Sequence, residues 1–311
     1  MQSPPSPHPV HTYSIVARDP ETGQMGVAVQ SHSFSVGPVV PWAEAAVGAV
    51  ATQSFVKIDY GPEGLALMRE GKSAPEALEQ LLREDEEREG RQVAMVDTQG
   101  NVAVHTGSKC FPAAGHETGD GFSAQANLML NDTVWPAMKQ AYEVAEGDLA
   151  DRLVAALVAG QAAGGDIRGQ QSAALLVVAA EKPDKPWEGR LIELRVEDHP
   201  HPVEELRRLV QLHRAYQLAS KSDEYLALKK WEEAERAISK AVALAPQIVE
   251  LRFWNALNLL NAGREEEALN RFRKVFAEEP IWADVLPRLV PAGLLDDDPE
   301  LIERIVEQRN L

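Results

Sequence analysis

Apolar positions in the first two thirds of the chain fall in short runs broken by turns; in the last third they recur every three or four residues. Residues 12–18 (TYSIVAR) and 25–30 (MGVAVQ) are β-rich, and Asp19-Pro20-Glu21-Thr22-Gly23 between them has the Pro and Gly of a hairpin turn. Residues 46–53 (AVGAVATQ) are small and apolar, as in a strand buried on both faces. Residues 91–97 and 102–107 flank Thr98-Gln99-Gly100-Asn101 as a second hairpin, and 172–179 and 191–196 read as two more strands. Helical periodicity covers 64–70, 74–82, 135–145 and 149–163. Hairpins with helices grouped apart predict an α+β layered domain rather than a parallel βαβ array.

From residue 203 onward the strand signal stops and helices alone are predicted. Pro246 and Pro280 lie 34 residues apart, as do Ala234 and Ala268, and Ile238 and Phe272. A helix-turn-helix period of that length resembles tetratricopeptide repeats, although Asn255-Ala256 stands where the repeat has Leu-Gly. Trp231, Ala234, Ile238, Ala241, Ala268 and Phe272 are expected in one helical layer. The expected division is a disordered Pro-rich tail over 1–11, an α+β domain over 12–202 and a helical region over 203–311.

Charge narrows the function classes. The chain carries 31 basic and 48 acidic residues, a net of −17, and most of the excess falls on residues 1–202. Such a chain repels phosphate backbones and anionic lipid, so neither nucleic acid nor a membrane is an expected partner. No run of about 18 apolar residues occurs. Met1 to Pro9 has four prolines and no basic-then-apolar leader. A cytoplasmic location is the default expectation.

Thr12 opens the first strand. A threonine acts as a nucleophile when its own α-amine serves as base, which requires it to be a chain terminus; otherwise it is an ordinary β-branched strand residue. An amide hydrolase also needs donors for a developing oxyanion. Asn127 and Gln125 carry such amides at one strand end, and Gln53 and Thr52 at another; each also suits a structural hydrogen bond. Asp19 can bind an amine or form the Asp-Pro turn. Arg168 can clamp a substrate carboxylate or pair internally with Asp166. His199-Pro200-His201 lacks further ligands at metal spacing. Cys110, the one cysteine, has Lys109 beside it but no base. Neither a metal nor a cofactor is expected.

Several motifs together carry a resemblance: residues 12–23 (TYSIVARDPETG) with Gly26 to Ser31 (GVAVQS), Gly48 to Gln53 (GAVATQ), Tyr60-Gly61-Pro62, Gln125 to Leu130 (QANLML), Gly165 to Leu175 (GDIRGQQSAAL) and Arg195 to Pro200 (RVEDHP). They resemble the domain-of-unknown-function 1028 family over residues 12–216. The resemblance implies an N-terminal-nucleophile (Ntn) hydrolase-like fold, a four-layer αββα sandwich, with Thr12 matching the threonine that processing exposes. Eleven residues precede Thr12 here, so activity requires cleavage between His11 and Thr12 or a later translation start. The leading expectation is an amidohydrolase acting on a small C–N bond, with Thr12, Asn127, Gln125 and Asp19 catalytic and Gln53, Thr52, Arg168 and Asp166 binding substrate. The competing expectation is a non-catalytic scaffold with a degenerate core. Expected partners are a small-molecule substrate, a protein docking on the C-terminal helices, and further copies of the chain in a homo-oligomer.

Overall fold

The structure is a computed structural model that describes residues 10–310. Of the expected tail, residues 1–9 lie outside the described residues. Val10 and His11 depart from that expectation: both are buried, because Val10 joins an apolar core and His11 finds polar partners inside it.

The Asp19 turn connects β1 (Thr12–Arg18) to β2 (Met25–Ser31), paired antiparallel from Arg18↔Met25 to Thr12↔Ser31. With β7 (Gly115–Gly119), β8 (Phe122–Ala126), β9 (Ser172–Val178) and β10 (Arg190–Val196) they build a six-stranded antiparallel sheet of order β10-β9-β2-β1-β8-β7. A second antiparallel sheet has the order β3-β4-β5-β6, from β3 (Pro41–Glu44), β4 (Gly48–Ser54), β5 (Arg91–Asp97) and β6 (Val102–Thr106). The pattern of apolar positions missed β3 and β7. β3 is four half-buried residues starting at a proline, and β7 is an edge strand bounded by two glycines, so neither shows a strand's apolar stripe.

The sheets face each other across a core of Val16, Val27, Val29, Ala49, Ala51, Ala94 and Val96. Strand alternation fixes which other residues face this seam. Going toward one end, Val16 is followed by Ser14 and Thr12, Val27 and Val29 by Ser31, Ala49 and Ala51 by Gln53, and Val96 and Ala94 by Gln92. The seam is therefore apolar at one end and polar at the other. Helices α1 (Tyr60–Arg69) and α2 (Ala74–Glu84) cover the outer face of the four-stranded sheet through Tyr60, Leu65, Met68 and Leu78. Helix α2 starts at a Ser73/Glu76 capping box. Helices α3 (Val134–Val144) and α4 (Leu149–Ala162) pack on the six-stranded sheet.

The chain divides into two compact units at 209/210, inside α5 (Pro202–Ala227), rather than at 202/203. In the second unit α6 (Trp231–Leu244), α7 (Val249–Asn261), α8 (Glu265–Glu278), α9 (Leu286–Leu289) and α10 (Pro299–Glu307) follow. The residues expected in one layer divide: Ile238 and Ala241 pack with Ala215 and Leu251, whereas Ala268 and Phe272 pack with Phe253 and Phe276. Trp231 is 38% exposed. Asn255 is buried and donates to Ser239 Oγ at 3.2 Å, which explains a polar residue at that crossing.

One buried ion pair ties the first unit's loops together. Arg91 donates to Asp85 at 2.9 Å and to the carbonyl of Phe55 at 2.5 Å, and Tyr60 donates to Asp85 at 3.0 Å. Burial alone would raise the Asp85 carboxyl; the Arg91 guanidinium and the Glu87 N–H outweigh it and hold the carboxyl below its ordinary value. Arg91→Leu strands Asp85 and is expected to cost about 3–5 kcal/mol in urea unfolding. The depressed carboxyl contributes stability above about pH 4, lost as pH falls through its folded value; in Arg91→Leu that acid-side slope should shrink. In the second unit, Ala234 is fully buried; Ala234→Trp should overpack it and cost about 1–3 kcal/mol, read as a lowered thermal midpoint.

Candidate functional site

The polar end of the seam is a closed hydrogen-bond network of neutral side chains. Cross-strand register supplies two amide-bearing pairs, Ser14↔Gln125 in one sheet and Gln53↔Gln92 in the other. Ser123 Oγ donates to Gln125 Oε1 at 2.9 Å, Gln125 Nε2 to Ser14 Oγ at 2.7 Å, and Ser14 Oγ to Gln53 Oε1 at 2.6 Å. Gln53 Nε2 donates to Gln92 Oε1 at 2.7 Å, and Gln92 Nε2 reaches Thr106 Oγ1 and the carbonyl of Ala126, both at 2.9 Å. Each amide has a partner for its N and its O, which a low-dielectric interior requires of buried polar groups.

Thr12 lies at the mouth of this network and is fully buried. Its own carbonyl accepts from the Asn127 N–H at 3.1 Å and from Gln53 Nε2 at 3.2 Å. Its hydroxyl lies 3.2 Å from Ser31 Oγ and 3.1 Å from the Val10 carbonyl, so its single proton can serve either. Ser31 Oγ in turn donates to the His11 carbonyl at 2.6 Å and accepts from the Ser33 N–H at 3.1 Å. Arg168 Nη2 donates to the same His11 carbonyl at 3.1 Å. Asp166 holds that guanidinium by a bidentate contact, at 3.0 Å through Nε and 2.7 Å through Nη2. The peptide bond before Thr12 therefore has its carbonyl oxygen between a hydroxyl and a fixed cation.

The His11 ring fills a slot beside Thr12. Phe111 meets it edge-on at 4.3 Å between centroids, and Phe55 stacks on Phe111 at 5.2 Å. Its Nδ1 lies 3.0 Å from Asn127 Oδ1. Asn127 Nδ2 donates to Gln92 Oε1 at 3.0 Å, so Oδ1 can only accept, which places the ring proton on Nδ1. Burial lowers the His11 pKa, partly offset by that hydrogen bond. Two non-glycine residues with left-handed backbone flank the site, Ser54 (φ 71) and Leu128 (φ 57). Such strain persists only where the surroundings impose it and clusters at ligand clamps.

Of the residues singled out from sequence, Thr12, Gln53, Gln125, Asn127, Arg168 and Asp166 converge here. Gln125 donates to Ser14, and Asn127 Nδ2 to Gln92 and, at 3.5 Å, to the Thr12 carbonyl; the side chains that donate to the His11 carbonyl are Ser31 and Arg168. Thr52 does not join: one residue from Gln53, it faces the other side of β4, and its hydroxyl donates to the Lys57 carbonyl at 3.0 Å. Asp19 is at the opposite end of β1, about 20 Å of extended chain away, where it accepts from the Thr22 hydroxyl at 2.5 Å and pairs with Arg152 at 3.6 Å. Sequence reasoning missed Ser14, Ser31, Gln92 and Phe111, and saw His11 only as the residue before the cut. Strand parity could have found three: Ser14, Ser31 and Gln92 share the face of the apolar residues preceding them.

Gln92→Leu removes the acceptor of both Gln53 and Asn127. It should cost at least about 2 kcal/mol in guanidinium unfolding, against less than about 0.5 kcal/mol for an exposed control such as Gln140→Leu.

Comparison with known proteins gives a family and no activity. The sequence pattern described as "Family of unknown function (DUF1028)" matches residues 12–206. A solved structure assigned to that family, protein SPO2555 from Silicibacter pomeroyi, is similar, with 33% identity and a TM-score of 0.59 over 65% of this chain and 88% of that one. No curated protein matches. Because the family pattern spans well over half of the sequence, the chain belongs to the DUF1028 family.

Proposed function

We propose that this chain is an amide-bond hydrolase of the N-terminal-nucleophile type, kept latent by the peptide bond between His11 and Thr12, which it opens itself. The observation that carries the reading is the hydrogen-bond path from Thr12 Oγ1 through Ser31 Oγ to the oxygen of the carbonyl that Thr12 would attack, with Arg168 beside that oxygen. The two facing antiparallel sheets with helices on their outer faces support an Ntn-type four-layer αββα sandwich. The family match opening at Thr12 supports Thr12 as the working first residue.

In the opening step Thr12 Oγ bonds to the His11 carbonyl carbon. Its proton passes to Ser31 as Ser31 gives its own to the His11 oxygen. Arg168 stabilises whatever negative charge remains. The tetrahedral carbon reforms its C=O and expels the Thr12 nitrogen, which takes up the proton, leaving an ester. Water then hydrolyses the ester to a His11 carboxylate and a Thr12 with free hydroxyl and amine. Before the step the nitrogen is an amide that cannot accept a proton. Afterwards it is an amine titrating near 7.7–8.0 for an unperturbed terminus, able to serve as base for the adjacent hydroxyl. Ser31 and Arg168 are then free to receive a substrate's carbonyl.

The 34-residue spacing and consecutive packed helices support a tetratricopeptide-like reading of the second unit, a place for a protein partner. The full burial of Thr12 favours the scaffold alternative, in which the seam is structural only.

Incubated full-length protein should lose residues 1–11 by intact mass, with amide hydrolysis rising in step with the cleaved fraction. Thr12→Ala should stay whole, and Thr12→Ser should still cleave. Ser31→Ala and Arg168→Met should each slow cleavage about 10²–10³-fold. A folded wild type that neither cleaves nor turns over any amide would leave the scaffold reading.

A further inference from the structure

The segment ahead of Thr12 is held as a ligand would be, at three points. Its backbone is read by Ser54: Val10 N–H donates to the Ser54 carbonyl at 2.8 Å, and Ser54 N–H donates to the Val10 carbonyl at 2.9 Å. This is one antiparallel bridge between Val10, outside the named strands, and Ser54, the last residue of β4, which has a left-handed backbone. Adding an extended residue alongside a strand end is a general way to bind peptide. The side chain is read by the Phe111 ring and the Asn127 acceptor around His11. The carbonyl is read by Ser31 and Arg168. Removing Val10 and His11 would leave the Ser54 N–H and C=O, Asn127 Oδ1, Ser31 Oγ and Arg168 Nη2 without those partners, all arranged along one dipeptide. Unpaired buried polar groups are costly, so the vacated site favours an occupant of the same pattern.

We infer that the site recognises short N-acylated peptides whose acyl-side residue carries a flat ring with an N–H on its edge, as neutral histidine does. Taking such peptides as substrates rests on the hydrolase reading above; recognising them does not. An aliphatic side chain fills the slot but leaves Asn127 Oδ1 unpaired. A carboxylate at the same place faces an acceptor that can offer it no proton. An N-acyl group supplies the carbonyl and the preceding residue that Ser54 bridges.

The ring slot is tested on the full-length chain carrying Thr12→Ala, which stays whole and keeps residues 1–11 in place. Adding His11→Gly to it keeps the backbone and empties the slot. Imidazole should raise the thermal midpoint of the double variant saturably and leave Thr12→Ala unmoved. 1-Methylimidazole, of similar shape but without the N–H, should act at least tenfold more weakly. Equal responses to the two rings, or equal responses of the double variant and Thr12→Ala, overturn the inference. The substrate arm uses protein that has released residues 1–11. Acetyl-Val-His 4-nitroanilide should exceed the Leu and Asp analogues at least tenfold in kcat/KM. Turnover without that order overturns the inference and keeps the hydrolase. Selective imidazole binding with no turnover of any amide supports the recognition site and overturns the hydrolase.

Discussion

Polar side chains buried between two sheets must satisfy one another, and the arrangement of this molecule's first unit follows from that requirement. Neither sheet can shift by one residue without turning Gln53, Gln92, Ser14 and Gln125 out of the seam and exposing the apolar stripe on the same strands. The apolar end supplies burial and the polar end fixes register. Because the network is built of amides and hydroxyls, it avoids burying charge. The ion pair of Arg168 and Asp166 sits at its mouth, with the Asp166 side chain fully buried and that of Arg168 31% exposed.

This setting changes what an ordinary peptide bond can do. At the His11–Thr12 junction the carbonyl oxygen already has two donors, one of them a guanidinium held in place by a buried carboxylate. The neighbouring hydroxyl has a short path to that same oxygen. In the mechanism we propose, the base for attack on a separate substrate is the nitrogen locked in this bond, so latency and activity would turn on one C–N bond rather than on a rearrangement of the fold. The rigidity of the seam accounts for why the geometry would survive cleavage.

The strand pairs with strong apolar alternation and a marked turn, β1–β2 and β5–β6, were legible in the sequence, as were the helices with a clear apolar face. The short and glycine-bounded strands β3 and β7 were not, since edge strands bury too little to leave a pattern. For the site, Thr12, Gln53, Asn127 and Arg168 were visible as chemistry-bearing residues, but their relations were not. Ser31 looks like any serine at a strand end until the Thr12↔Ser31 register brings it under the His11 carbonyl. His11 and Phe111 lie 100 residues apart, and nothing local links them. Thr52 and Asp19 show the reverse: their types suit substrate binding and catalysis, but strand parity and strand length carry them away from the polar seam.

The central claim is that Thr12 attacks a separate substrate only once its nitrogen is free. A threonine-directed electrophile such as a β-lactone, followed by peptide mapping, tests it most directly. In a sample containing both whole and cleaved chains, the account predicts one acyl group on Thr12 of every reactive cleaved chain and none on whole chains. Acylation of Thr12 in whole chains, or cleaved folded chains that take no label at Thr12, would contradict it.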